Sequence, residues 1–184
     1  MREFLQHLFT RERTARIWAG LIDLGILAVL LALCALLTGQ PDFKGVADSF
    51  RAVSAFTGDT AGLQKLVTAS ALQFQGAFVL CLWTAFLYEV FFTLLPGGGT
   101  PGKRLMGLRL VPVKNGRNYL LTAWKVVVRS GVKYLSLYLF QGFPFLMSVL
   151  YIFADEQNRA GHDRAARLKV VRRSAVSEPL VKPV

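Results

Sequence analysis

Residues Arg16 to Leu37, RIWAGLIDLGILAVLLALCALL, form an apolar run with a single acid, Asp23, in its interior. As a helix rising about 1.5 Å per residue the run spans roughly 33 Å, against a bilayer hydrocarbon core of about 30 Å. It reads as a transmembrane helix. The spacing from Arg16 to Asp23 is close to two full turns, so the two charges share a face, about 10 Å apart along the axis, with Ala19 and Gly20 between them. A carboxylate facing lipid costs a few kcal/mol or more, so Asp23 must face protein, water or a cation. What packs against that face is therefore constrained before any other residue is considered.

Residues 71–95 give a second span, closed by Pro96-Gly97-Gly98-Gly99. Glu89 lies about 9 Å from the end of this span, a depth like that of Asp23. Two readings follow: the acids meet at one level of the inner leaflet, or Glu89 pairs with a basic residue of the next loop. Residues 134–154 are apolar again but interrupted by Gly142-Phe143-Pro144. Ahead of them, Tyr119 to Tyr134 is amphipathic, with Lys125, Arg129 and Lys133 on one stripe. This predicts an in-plane basic helix followed by a broken or re-entrant segment. Leu108, Leu110 and Pro112 alternate with Arg109, Val111 and Val113 ahead of the Asn115-Gly116 turn signal, and Leu168 to Val171 offers a matching stretch. The expected fold is thus an all-α membrane protein. It is a small helical bundle with two clear transmembrane helices, a broken or re-entrant third segment, an interfacial basic helix and a short two-stranded cytoplasmic ribbon.

The formal net charge of +11 would suit nucleic acid, but the basic residues flank the apolar runs of a chain that is 53% hydrophobic. Anionic phospholipids are the more economical partner. Residues 100–118 carry Lys103, Arg104, Arg109, Lys114 and Arg117 with no acid, whereas 39–70 mix both signs. The excess of Lys and Arg on cytoplasmic sides places both termini inside and 39–70 outside, in a multi-pass protein of the cell inner (plasma) membrane. Within that external loop, Val46, Phe50, Val53 and Phe56, then Leu63, Leu66 and Val67, recur at helical spacing, predicting short helices on the outer leaflet. The organisation expected is one membrane domain over 1–173, with spans about 16–37, 71–95 and 134–154 and a basic segment over 100–133, then a disordered tail over 174–184. Residues 1–15 pattern either as an amphipathic surface helix or as a frayed solvated leader. The first span exceeds a signal-peptide core and lacks a small-residue cleavage site, so it is expected to be retained.

Little here points to catalysis. Gly97 to Arg104 spells G-x4-G-K, but arginine stands where a phosphate-cradling loop needs Ser or Thr, and the loop follows a membrane helix rather than a strand. Tight glycine turns that bring Lys103 and Arg104 to headgroup phosphates or a buried acid are the better account. His162-Asp163 has no recognisable nucleophile nearby in sequence, and His7 and His162 cannot build a metal site alone. Cys34 and Cys81 behave as small hydrophobes within apolar spans. No catalytic residue, cofactor or metal is expected, and the protein is read as a non-enzyme.

Arg16, Asp23, the Tyr88-Glu89 exit of the second span, the T-P-G-K-R-L-x-G-L-R-L-V run from Thr100 to Val111 and G-H-D-R-x-A from Gly161 to Ala166 together look like the RDD family of prokaryotic membrane proteins. The resemblance covers about residues 13–173. It implies that Arg16, Asp23 and Asp163 are the arginine and two aspartates for which that family is named. It also implies either an accessory or structural subunit of a membrane complex, or a transporter of ions or small solutes, by cation/proton exchange, working as an oligomer. A homo-oligomer or another membrane protein is the expected protein partner, and nucleic acid is not. In the transport reading Asp23 and Glu89 line the ion or proton path, with Lys103, Arg104, Arg109 and His162 at the basic inner interface. The pairings expected are Arg16 with Asp163, and Asp23 with Lys103 or Arg104.

Overall fold

A computed structural model describes residues 11–113, 119–140, 143–154 and 160–172. The elements in order are α1 (Arg11–Thr38), α2 (Phe43–Ser54), α3 (Thr60–Leu94), α4 (Pro101–Leu105), β1 (Leu108–Pro112), α5 (Tyr119–Leu139), α6 (Phe143–Ala154), α7 (Gly161–Ala165) and β2 (Leu168–Arg172). They form two compact units, residues 26–85 and residues 1–25 with 86–184. The expected leader helix over 1–15 falls largely outside the described residues, and the Asn115-Gly116 turn and the tail over 174–184 fall wholly outside them.

Among the described residues, α1 and α3 are the two helices long and apolar enough to cross a membrane. Leu36 and Leu37 stand 82% and 84% exposed on α1, and Leu72, Trp83 and Leu87 are likewise exposed on α3. An apolar surface of that extent suits a lipid environment rather than water. α3 begins well before the expected residue 71. Leu63, Leu66 and Val67, expected as a separate short helix in the external loop, are its first turns, because no proline interrupts the chain between Thr60 and Leu94.

In the unit of residues 26–85, α2 is the short amphipathic helix expected there. The Asp42 carboxylate caps it by accepting the Gly45 N–H at 2.8 Å, and Phe50 meets Phe74 edge-on with ring centres 6.0 Å apart.

In the other unit, α3 ends and the chain turns through Gly97 and Gly98, whose φ values of 116° and 64° lie where a side chain would strain the backbone. Pro101 then opens α4 at a position that needs no N–H. The apolar run 134–154 is indeed broken. Its first residues complete α5, and α6 restarts at Phe143 with Pro144 in its first turn. At 12 residues, α6 rises only about 18 Å, too short to cross a bilayer. The ribbon is present: β1 and β2 pair antiparallel, with Leu108 opposite Arg172, Leu110 opposite Val170 and Pro112 opposite Leu168. Leu108, Leu110, Leu168 and Val170 share one pleat face and pack with Ala15 and Ala19 of α1, Val126 of α5 and Ala166. Small side chains at Ala15 and Ala19, one helical turn apart, let α1 seat closely on the ribbon.

Candidate functional site: a buried charge network

Glu89, on the last turns of α3, is 2% exposed and is met by three cations. Arg129 donates through Nη1 to Oε1, Lys133 Nζ donates to Oε2 at 2.8 Å, and Lys103 Nζ stands 3.7 Å from Oε1. Arg129, 3% exposed, also donates through Nε to Asp163 and lies 3.4 Å from His162 Nε2 through Nη2. The planar guanidinium presents several donors in fixed directions, so one arginine holds residues of α3 and α7 together. Asp163 in turn accepts the Ala160 N–H at the start of α7. The result is a chain of alternating charge, Lys103 to Glu89 to Arg129 to Asp163.

The titrations follow from this packing. Burial alone would raise the Asp163 carboxyl, but Arg129 and the other positive neighbours hold it down at about 2. Burial, reinforced by Arg129, pushes the Lys103 ammonium down to about 8 against the pull of Glu89. The same two causes, in the same order, take the His162 imidazole down to about 3, so near neutral pH it is uncharged.

His162 Nδ1 lies 2.9 Å from Ser148 Oγ on α6, a serine that nothing in the sequence marks as its neighbour. The imidazole Nε2 faces both the Arg129 guanidinium at 3.4 Å and Asp163 Oδ1 at 3.7 Å. The Ser148 oxygen also accepts the His162 backbone N–H at 3.0 Å. These two Ser148 contacts tie α6 to α7.

Asp23 has a separate set of donors. Tyr88 OH and the Gly102 N–H each donate to Oδ1 at 2.8 Å, and Thr100 Oγ1 donates to Oδ2. All three are uncharged, which corrects the expectation of Lys103 or Arg104 as its partner. Lys103 lies at Glu89 instead. Arg104 turns back to the end of α3, donating to the carbonyl of Phe92 at 2.8 Å, in the last turn where helix carbonyls lack intrahelical partners, and to those of Leu95 at 3.3 Å and Gly99 at 2.7 Å in the turn that follows. Adjacent residues Tyr88 and Glu89 leave the helix about 100° apart and serve the two acids separately.

Where the sequence points to Arg16 for Asp163, the carboxylate's described partner is Arg129. Arg16 donates through Nη2 to the Val170 carbonyl of β2 at 2.9 Å. Arg109 stands on β1 opposite Val171. The stripe Lys125, Arg129, Lys133, expected to meet headgroups, instead turns Arg129 and Lys133 inward to Glu89. A signal for this was present: Val126, Arg129, Ser130 and Lys133 repeat at i, i+3, i+4, i+7, the spacing of a buried helix face. Val126, Arg129 and Ser130 are all buried. A carboxylate on α3 needed cations at depth, and only an inward stripe could supply two of them.

No curated relative and no solved structure matches the chain. The model of the RDD family matches residues 10–167, which takes in Glu89, Asp163, Asp23 and the ribbon up to the start of β2, and the chain belongs to the RDD family.

Proposed function

We propose that this membrane protein is a non-enzymatic accessory or structural subunit of a plasma-membrane complex. Its termini are cytoplasmic, its basic inner face meets anionic phospholipids, and it is joined to a second copy or to another membrane protein. One observation carries the reading: each of the acids that would serve ion exchange already has its donors within the chain. Glu89 has three cations and Asp23 has three neutral donors. A coupling carboxylate must release its partners to take up a proton or cation, and breaking such buried pairs costs several kcal/mol. These acids are better suited to holding helices in place than to carrying charge.

The test is reconstitution of the purified chain into vesicles containing a pH dye, under an imposed Na⁺ or K⁺ gradient. No dye response is expected, and Asp23→Asn and Glu89→Gln should lower the yield of folded protein without changing any flux. A gradient-driven response in the wild-type protein that disappears in either variant overturns the proposal in favour of exchange.

A further inference from the structure

The segments Thr100–Pro112 and Ala160–Arg172 follow one plan, each residue matching the one 60 positions on. Arg104 and Arg164, Leu108 and Leu168, and Val111 and Val171 are identical pairs. The backbones agree more closely than the side chains. The residues before the short helices, Thr100 and Ala160, have φ, ψ of −60°, 159° and −72°, 158°. Those after them, Met106 and Ala166, have −83°, 7° and −86°, −1°. Next come Gly107 and Arg167, both left-handed, with φ of 66° and 54°. The turn bonds repeat as well, from Arg104 N to Thr100 O (2.9 Å) and Arg164 N to Ala160 O (3.0 Å), and from Gly107 N to Arg104 O and Arg167 N to Arg164 O (3.0 Å each). Each arginine also reaches back to the helix before it, Arg104 to α3 and Arg164 to Tyr151 of α6.

The pairing register completes the pattern. Leu108 faces Arg172 and Pro112 faces Leu168, so a two-fold rotation about the Leu110–Val170 pair carries the ribbon onto itself. At the position matching Gly107 the second segment keeps the left-handed conformation even though Arg167 is not a glycine, a combination uncommon for residues with a side chain.

We propose that residues 86–94 with 100–112, and residues 146–154 with 160–172, are two copies of one unit, an apolar helix leading into a short helix and a strand, and that the ribbon is the contact between two such units fused in one chain. The hairpin α5–α6 is then the shortened counterpart of α1–α3. In the second copy Gly102 is replaced by His162 and Lys103 by Asp163, so matching positions lie at the oppositely charged ends of the chain from Lys103 to Asp163. The two halves are thereby made non-interchangeable at the buried face while the ribbon keeps its symmetry.

The symmetry makes an unusual exchange permissible. Arg109→Lys, Leu110→Val and Pro112→Arg, combined with Lys169→Arg, Val170→Leu and Arg172→Pro, swap the two strands. The swap regenerates the same five cross-strand pairs with the strands reversed. Leu110 N bonds to Gly98 O and Val113 N to Arg167 O, so by the antiparallel alternation residues 112 and 172 both turn their N–H groups outward, and proline fits either place. The Arg16 contact is to a backbone carbonyl and survives the swap.

In the full-length protein in detergent, the six-fold variant is expected to melt within about 3 °C of wild type. A one-residue cyclic shift of β1 (Leu108→Pro, Arg109→Leu, Leu110→Arg, Val111→Leu, Pro112→Val) puts arginine on the buried face and should lose the folded state, showing that the assay reads the ribbon. Two results would overturn the proposal: a six-fold variant that fails to fold, or one that melts lower by the summed losses of its two three-fold halves.

Discussion

Arg129 carries more of the buried site than any residue of the family motif. Its replacement by Gln leaves Glu89 with weakened compensation and Asp163 without its described ion-pair partner, an effect of about 3–5 kcal/mol for a buried pair. In detergent the melting midpoint of Arg129→Gln should fall by roughly 10 °C, and Arg129→Lys, which keeps the charge but loses the fork, by less. His162 sets the acid limit. Its folded-state value of about 3 lies below the ordinary 6.5, so between these values the unfolded chain binds more protons than the folded one. The stability it contributes is present above about pH 6.5 and drains away as pH falls toward 3. Asp163 adds its own loss only below about 3.8, where an ordinary aspartate begins to protonate. Melting at pH 7.5 and 4.5 should therefore show a drop in wild type that is smaller in His162→Gln, and equal drops would show that His162 is not the group responsible. Asp163 was marked only by the family resemblance, whereas Asp23 and Glu89 were legible in the sequence because charge within an apolar run stands out. Their partners were not: Arg129 and Lys133 lie on an amphipathic stripe that reads equally well as a solvated face, and Ser148 has no charge to mark it.

At the scale of the element, α4 is placed by the absence of a side chain. A Cβ on Gly102 would fall 2.2 Å from the Ala19 carbonyl oxygen and 2.9 Å from the Asp23 carboxylate, so the first turn of α4 reaches α1 only as glycine. Gly102→Ala is expected to separate the two elements and lower the midpoint by several degrees. Gly20→Ala, on the same face-forming stretch of α1 but with nothing within 4 Å, should be neutral or raise it, since alanine favours a helix by about 1 kcal/mol over glycine. Equal effects of the two would deny Gly102 this role. The first strand was readable from alternation ahead of a turn signal, the second as a matching stretch in the tail, and the stop after α3 from its glycines. The start of α3 was not, because an amphipathic segment that runs on into an apolar one without a proline leaves no mark at the join.

For the whole molecule, labelling with an impermeant maleimide in intact cells should modify Ser54→Cys and spare Ser174→Cys, as cytoplasmic termini and an external 39–70 require. The reverse pattern would invert the topology. Apolar runs announce themselves by length, so two candidate spans were plain from composition, but the internal two-fold relation was not, since few of its paired residues are identical and the likeness lies in backbone angles. Arg16 and Val170 meet across 154 residues of chain, and this separation bears on how the protein is made. At 5–20 residues per second, roughly 8–30 s pass between synthesis of the arginine and of the carbonyl that receives it. During that interval the first helix lacks this bond, although Asp23 can already meet Tyr88, Thr100 and Gly102, and a ribosome that stops before β2 leaves behind a chain in which the Arg16 end of that helix has not met the strand that receives it.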